Sequence, residues 1–325
     1  MDNKHEAHHL ELAVAGQNWM ENMYFGGWDD AQQAGFGVHL KLRADEKRAE
    51  IRAVLMMDGQ IITLGGRHPI HGTTGSTREY PGLQWTNLEP FRRWRIQVSG
   101  TGLPVTQTGG YMGLAGEQSP TIPFALDIEF DSEVLPFDWD LLSGGALADS
   151  AGKGHYDQGG TWSGHLQLGN KRIAANGLGL RDHSWGPRNF ADMEVAWFGA
   201  FVYDAGAEYL AGLAVRKNGA WQGFSGLCNA REVKILPQPK VNVIAGGDGD
   251  GLYDAVTFDW PDRRITTRTR LHIKMPLLPE RYLSNDAFSV MDGSSTSTGF
   301  AFIERGRLLS SREVEQIKTA AHATS

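Results

Sequence analysis

At 325 residues the chain is longer than a usual single domain and suits two packed units of about 150 residues each. Hydrophobic residues make up 41% and charged residues 21%, enough apolar side chain for sizeable cores and too little charge for a disordered chain. With 31 Lys and Arg against 38 Asp and Glu, the formal net charge is −7, and no basic run is present to neutralise successive phosphates; nucleic acid is excluded as an expected partner.

The opening residues are polar and lack the apolar core of a signal peptide, and no window approaches the ~18 uninterrupted apolar residues of a membrane span. A cytoplasmic protein without an integral membrane segment is expected. His5-Glu6-Ala7-His8-His9 formally satisfies H-E-x-x-H, but a zinc protease needs that pattern on a buried helix with a further ligand. In a polar tail it is set aside, and no metal site is expected.

Period-two alternation then dominates, as a strand with one buried and one solvated face requires. Phe36, Val38, Leu40 and Leu42 alternate with Gly37, His39, Lys41 and Arg43. Ile51, Ala53 and Leu55 follow, then Trp94, Ile96 and Val98, then Phe124, Leu126, Ile128 and Phe130, and later the runs 162–168 and 265–273. Paired glycines at Gly26-Gly27, Gly65-Gly66, Gly109-Gly110, Gly144-Gly145 and Gly246-Gly247 are expected to supply tight turns. Arg67-His68-Pro69-Ile70-His71-Gly72 reads as a loop, and the glycine- and aspartate-rich run 246–251 as a hairpin turn. Helical periodicity is convincing only over 310–321, which opens with Ser-Ser-Arg-Glu, an N-cap pattern. The lone cysteine, Cys228, lies among apolar and small residues and reads as a buried structural thiol.

Many short antiparallel strands bury their edges best by closing into barrels, and an eight-stranded barrel encloses about one small ligand. The expected fold is all-β, two antiparallel barrels in tandem with little helix. The Gly-, Ala- and Ser-rich stretch 141–154 interrupts the strand rhythm, so the expected units are 1–148 and 149–325.

The densest chemistry lies in Gly179-Leu180-Arg181-Asp182-His183-Ser184-Trp185-Gly186-Pro187-Arg188, within the second expected unit. In an extended segment Arg181, His183 and Trp185 share one face and Asp182 and Ser184 the other. Asp beside His can set an imidazole tautomer, and either can act as a general acid or base where burial moves its pKa. A buried Arg–Asp pair that locks a barrel corner is the structural alternative.

The run Arg181-Asp182-His183-Ser184-Trp185-Gly186-Pro187-Arg188, preceded by His155-Tyr156-Asp157-Gln158, resembles the superfamily of hydroxyneurosporene synthase, also called carotenoid 1,2-hydratase. The stretch from Trp19 to Phe25 and Asp58-Gly59 after a strand match the opening pattern of its poorly characterised bacterial members, so the resemblance covers most of the chain. It implies a pair of lipocalin-like barrels with a ligand cavity, and chemistry such as hydration or cyclisation without metal or nucleotide. Arg181, Asp182, His183, Trp185, Arg188 and Tyr156 are carried over from its motifs. Asp157 stands where the family usually carries Glu.

Asp182, His183, Tyr156 and Arg181 are therefore the expected catalytic set. Tyr156 would act as a weak acid or oxyanion donor, and Arg181 would stabilise a developing anion. Trp185, Arg188, Tyr24, Trp28, Tyr111, Trp162 and Trp197 are the expected substrate-binding residues, and Trp19 is a further aromatic of the cavity wall. The function expected is a cofactor-independent lyase or isomerase working by acid–base catalysis on an apolar aromatic or terpenoid small molecule, by hydration, dehydration, cyclisation or carbon–carbon cleavage. The competing reading is a non-catalytic carrier of a hydrophobic ligand, which can leave its cavity floor apolar where an enzyme must aim titratable groups at the ligand. A homodimer is compatible with either.

Overall fold

The computed structural model describes residues 3–14, 16–70, 76–105, 120–143, 153–190, 193–245, 253–277, 282–291 and 299–322. Tyr111, His71, the run 246–251 and most of 141–154 lie outside them. Each of the expected alternating runs is a strand.

β1 (Trp19–Asp29), β2 (Ala34–Arg43), β3 (Arg48–Met57) and β4 (Gln60–Pro69) are successive antiparallel neighbours. On its other side β1 pairs with β11 (Lys171–Pro187), which pairs with β10 (Gly154–Leu168); β8 (Ile122–Asp131) and β7 (Arg93–Val105) follow. β7 returns to β4 through Ile61–Val105, Ile62–Pro104 and Thr63–Leu103, and this pairing closes a ring of eight strands. β5 (Thr77–Tyr80) and β6 (Leu83–Glu89) extend outward from β7, and β9 (Phe137–Asp138) adds to β10.

The second sheet is centred on β12 (Met193–Tyr203) and β20 (Gly299–Leu308). From β12 it runs through β13 (Glu208–Lys217) and β14 (Ala220–Cys228) to β15 (Val233–Leu236). From β20 it runs through β19 (Tyr282–Met291), β18 (Arg263–Leu277) and β17 (Tyr253–Trp260) to β16 (Lys240–Ala245). Among the described residues no pairing joins β15 to β16, so this sheet is a half-barrel. The strand pairing differs from the expected division at 148/149: β10 and β11, with the Arg181–Arg188 motif, belong to the first sheet, and the second begins at Met193. Register between β11 and the distant β1 decides this, and no local pattern records it.

Glycine does not mark turns everywhere it was expected to. Gly26-Gly27 lies inside β1 and Gly65-Gly66 inside β4. At Gly27 the Trp162 indole occupies the space a Cβ would need. The β3–β4 turn instead uses Asp58 and Gly59, with φ of 54° and 72°. Arg67, His68 and Pro69 likewise finish β4 instead of forming a loop.

Three apolar layers result. The barrel interior is filled: Phe25 packs on Trp85 and Phe130 at 4.9 and 5.2 Å, and Phe36 meets Trp162 at 5.0 Å. A second cluster joins the outer face of the barrel to the half-barrel through Trp28, Met56, Leu180, Val202, Tyr209, Phe288 and Phe302, and Cys228 is buried in it. The third, around Trp197, Phe201, Tyr253 and Phe258, lies within the curl of the half-barrel. Helix is minor. α1 (Trp139–Ser143) precedes β10, and α2 (Ser311–His322) opens with a capping box in which Ser310 Oγ accepts from Glu313 N at 3.3 Å and Ser310 N donates to Glu313 Oε2 at 2.8 Å.

Candidate active site

The barrel interior is filled, and the cavity that the motif residues reach lies in the seam between the two sheets. A cavity of about 230 Å³ is lined by Asn22, Tyr24, His39 and Lys41 of β1 and β2, Trp139 of α1, and His155, Asp157, Asp182 and Ser184 of β10 and β11. Arg188 and Phe190 follow from the connection to β12, and Met193, Phe198, Leu213, Tyr282, Phe302 and Glu304 close the half-barrel side.

Period two explains which motif residues reach it. β10 and β11 pair with Asp157 opposite Asp182, His155 opposite Ser184 and Tyr156 opposite His183. The first two pairs face the seam and the third faces the barrel end. Two carboxylates directly opposite each other repel, and His155 bridges them: its Nε2 lies 2.5 Å from Asp182 Oδ2 and 3.4 Å from Asp157 Oδ1. The other oxygen of Asp157 accepts from Trp139 Nε1 at 2.6 Å and from the Tyr209 hydroxyl at 3.2 Å. Trp139 and Tyr209 thereby lock the carboxylate from both sides of the seam.

Electrostatics follow from this packing. Burial opposes the charge on His155, but Asp182 and Asp157 outweigh it and push the imidazole up to about 10. Asp182, although buried, is held below the usual carboxylate range by His155 and, more weakly, by Arg188. Burial and then the neighbouring Asp182 charge raise Asp157, against the pull of His155. On the opposite wall, burial raises Glu304, opposed by a hydrogen bond from Ser284 and reinforced by the charge of Asp182. Burial, then Lys41 and Arg52, push His39 down to about 3, so its bond to Asn22 Oδ1 at 3.2 Å is that of a neutral ring. The ligating atoms of His155, Asp157 and Asp182 lie within 4.8 Å of one another, a set that could take one divalent cation in place of the bridging proton.

Stability should respond to pH with a definite sign. Folded His155 holds its proton more tightly than the unfolded chain does, so its contribution is complete below its ordinary value of 6.5 and is lost as pH rises toward about 10. The raised Asp157 and Glu304 act in the same direction at lower pH. The melting temperature is expected to fall across this alkaline window, and Asp182→Asn should flatten the fall; an unchanged slope in that variant would contradict the pairing.

The rest of the expected catalytic set belongs to a different place. Arg181 forms a bidentate pair with Glu6, at 2.5 and 3.1 Å, and donates to Gln158 Oε1 at 3.0 Å and to the Tyr156 hydroxyl at 2.8 Å. His183 contacts Glu21 Oε1 at 2.9 Å through Nε2 and the Tyr156 hydroxyl at 3.2 Å through Nδ1. Burial lowers His183 despite Glu21, while bonds from His183 and His8 hold Glu21 ionised against its burial. A neutral ring that donates to Glu21 and accepts from Tyr156 satisfies every member. His8 also reaches Glu21, at 3.2 Å, and His9 stacks on Trp185 at 3.9 Å. The expected polar tail is thus a plug over the barrel end, with Glu6 and His9 buried in it. Tyr156, Arg181 and His183 have their polar atoms committed to this plug and do not line the seam cavity. Asp182 and His183, expected to act together, project to opposite faces of β11.

Among the expected binding residues, Arg188 and Tyr24 line the cavity. Trp162 is barrel core, and Trp19 and Trp185 pack with Tyr156 at the plugged end. Trp197 stacks within the half-barrel and Trp28 lines a separate opening beside Arg270. His155, Trp139 and Glu304 were not anticipated. The alternation that joined Asp182 with Ser184 also puts His155 with Asp157, a legible signal for that pair; the Glu304 stretch offers none.

No curated protein matches this sequence significantly. Among solved structures, a candidate AttH from Nitrosomonas europaea is similar at a TM-score of 0.63 with 12% identity, covering 91% of this chain and 95% of that one. Kievitone hydratase from Nectria haematococca matches at 0.52 with 8% identity, over 89% of each chain. CghA, solved with Sch210972, matches at 0.51 with 12% identity, over 92% of this chain and 94% of that one. At these identities the likeness is one of fold, and it agrees with the all-β tandem architecture implied by the resemblance to hydroxyneurosporene synthase, except that the second sheet is an open half-barrel among the described residues. No helix among the described residues is long and apolar enough to cross a membrane. The model of a domain of unknown function, DUF7064, matches residues 2–270, and the chain belongs to that family.

Proposed function

We propose that the chain is a lyase- or isomerase-type enzyme that performs acid–base chemistry on a largely apolar small molecule in the seam cavity, using its own side chains. One observation carries this reading: His155, Asp157 and Asp182 from the barrel and Glu304 from the half-barrel converge on a single apolar space. A carrier has no use for four titratable groups there, since each costs free energy to bury. The names of two fold relatives, a hydratase and CghA with its bound small molecule, agree with it.

In this reading the substrate lies between two proton-transfer walls. The His155–Asp182 pair, whose residual exposure faces the cavity, delivers a proton to a double bond, and Asp157 behind it steadies the imidazolium. Glu304, held near neutrality on the other wall, takes a proton from the water that adds; elimination runs the same transfers backwards. Phe190, Phe198, Phe302 and Tyr24 supply aromatic faces suited to an aromatic or terpenoid body and to transient positive charge.

The test is solvent exchange. Phenolic and terpenoid alkenes incubated with the protein in deuterated, oxygen-18-labelled water should acquire deuterium at carbon, and hydration products should carry the oxygen label. A bound ligand recovered unlabelled by mass spectrometry favours the carrier. Label incorporation is expected to survive exhaustive chelation; loss on chelation with recovery on adding zinc would overturn the cofactor-free reading and point to His155, Asp157 and Asp182 as ligands.

A further inference from the structure

Arg188 follows β11 directly and lines the seam cavity while only 7% exposed. Its backbone is pinned: Arg188 N donates to Asn18 O at 2.9 Å, and Asn18 Nδ2 donates to Arg188 O at 3.2 Å. Its side chain donates from Nη2 to Ser184 Oγ at 2.8 Å. Among the described residues no carboxylate pairs with this guanidinium, and the one charge that supports it, Asp182, is engaged by His155. Burial lowers Arg188 to about 10, which leaves it cationic at neutral pH. Arg181 has Glu6 and Arg43 has Glu50 at 3.5 Å; Arg78, which has no carboxylate at ion-pair distance among the described residues, donates instead to Glu6 O and His8 at the plugged barrel end, away from the cavity.

A guanidinium taken largely out of water with a hydroxyl but no carboxylate at ion-pair distance is left short of compensating charge. Such a shortfall persists where a ligand supplies the missing anion. The planar fork of Arg matches two oxygens side by side, and the neighbouring Phe190, stacked on Tyr282 at 4.8 Å, continues into an aromatic wall. We propose that Arg188 binds an acidic oxygen group of the substrate, a carboxylate or an ionised phenol or enol, whose apolar body extends along Phe190, Tyr282 and Phe198. The inference rests on the seam cavity being the ligand site. It gives Arg188 the anion-stabilising role that Arg181, tied to Glu6, cannot perform.

The probes are trans-cinnamate, cinnamamide and cinnamyl alcohol, which share one body and differ in the charge of the head group. Titration calorimetry on the full chain is expected to show cinnamate binding roughly tenfold or more tightly than either neutral probe. Arg188→Gln should bring the three toward parity, with the amide's affinity unchanged. The wild-type comparison stands even if that variant folds poorly, and melting curves report whether it does. Equal affinities in the wild type, or a cinnamate preference that survives Arg188→Gln in a folded variant, overturns the proposal. Neutral binding that is abolished by filling the cavity with Phe198→Trp, without any preference for the anion, removes the Arg188 assignment and leaves the cavity reading standing. Failure of all three probes to bind overturns both.

Discussion

Asp182→Asn is expected to lower turnover by at least about a hundredfold while leaving the folded state intact; His155→Ala should lose as much turnover and also some stability, because Asp157 and Asp182 then face each other unbridged, and His183→Ala is expected to lose stability but not specific activity. A hundredfold is the low end for loss of a general acid or base. His155 and Asp182 keep 22% and 23% of their side-chain surface and line the cavity, so Asn in place of Asp182 fits the same space. In Asp182→Asn the imidazole loses the carboxylate that orients its Nε2 and keeps the ring protonated at neutral pH, so the acid is both misplaced and less populated. His183 is 4% exposed and bonded between Glu21 and Tyr156, so its removal leaves a buried carboxylate short of a donor. His183→Ala should therefore unfold at lower denaturant and retain specific activity in proportion to folded protein. Turnover and unfolding measured on the same three variants separate the two clusters. Loss of turnover in folded His183→Ala, with His155→Ala unaffected, would return the catalytic assignment to the barrel end.

Glu6→Gln and Arg181→Met are each expected to destabilise the fold by about 3–5 kcal/mol, because removing one partner of a buried ion pair leaves the other charge uncompensated. Glu6 enters from the amino-terminal segment and also accepts from Phe91 N at 3.0 Å and Asn87 Nδ2 at 3.2 Å, so it ties that segment to β6 and β11 together. Deleting residues 1–12 should cost at least as much, since it also strips His8 and the His9 backbone from Glu21. The double variant Glu6→Leu/Arg181→Met should recover a large part of the loss, as apolar replacements of buried pairs do. Equilibrium denaturation of the four proteins measures this. Single variants within about 1 kcal/mol of wild type would mean that the plug is a loosely held tail.

Local chemistry in the sequence is sufficient for much of this protein. Alternation of apolar and polar residues specifies strands such as Phe124–Phe130 because adjacent side chains must point to opposite sides of a sheet, and Ser310 with Glu313 specifies a helix start because the two side chains satisfy each other's backbone donors. The same alternation separates Asp182 and Ser184 from Arg181, His183 and Trp185. It cannot say what either face meets. In β1 and in β11 from Gly179 onward both faces are largely buried, one toward the barrel and one toward the half-barrel, so hydropathy carries no mark of which is which. Tertiary structure decides that through pairings remote in sequence: β1 with β11 draws Glu21 to His183, the amino-terminal segment brings Glu6 to Arg181, and the seam brings Glu304 toward Asp182. It also fills the barrel with Trp85, Phe130 and Trp162, and the cavity that Asp182 lines lies in the seam instead of the barrel interior. Charges within one strand are legible from the chain; which of them share a solvent-excluded space depends on register and layer packing, and these are properties of the assembled sheets.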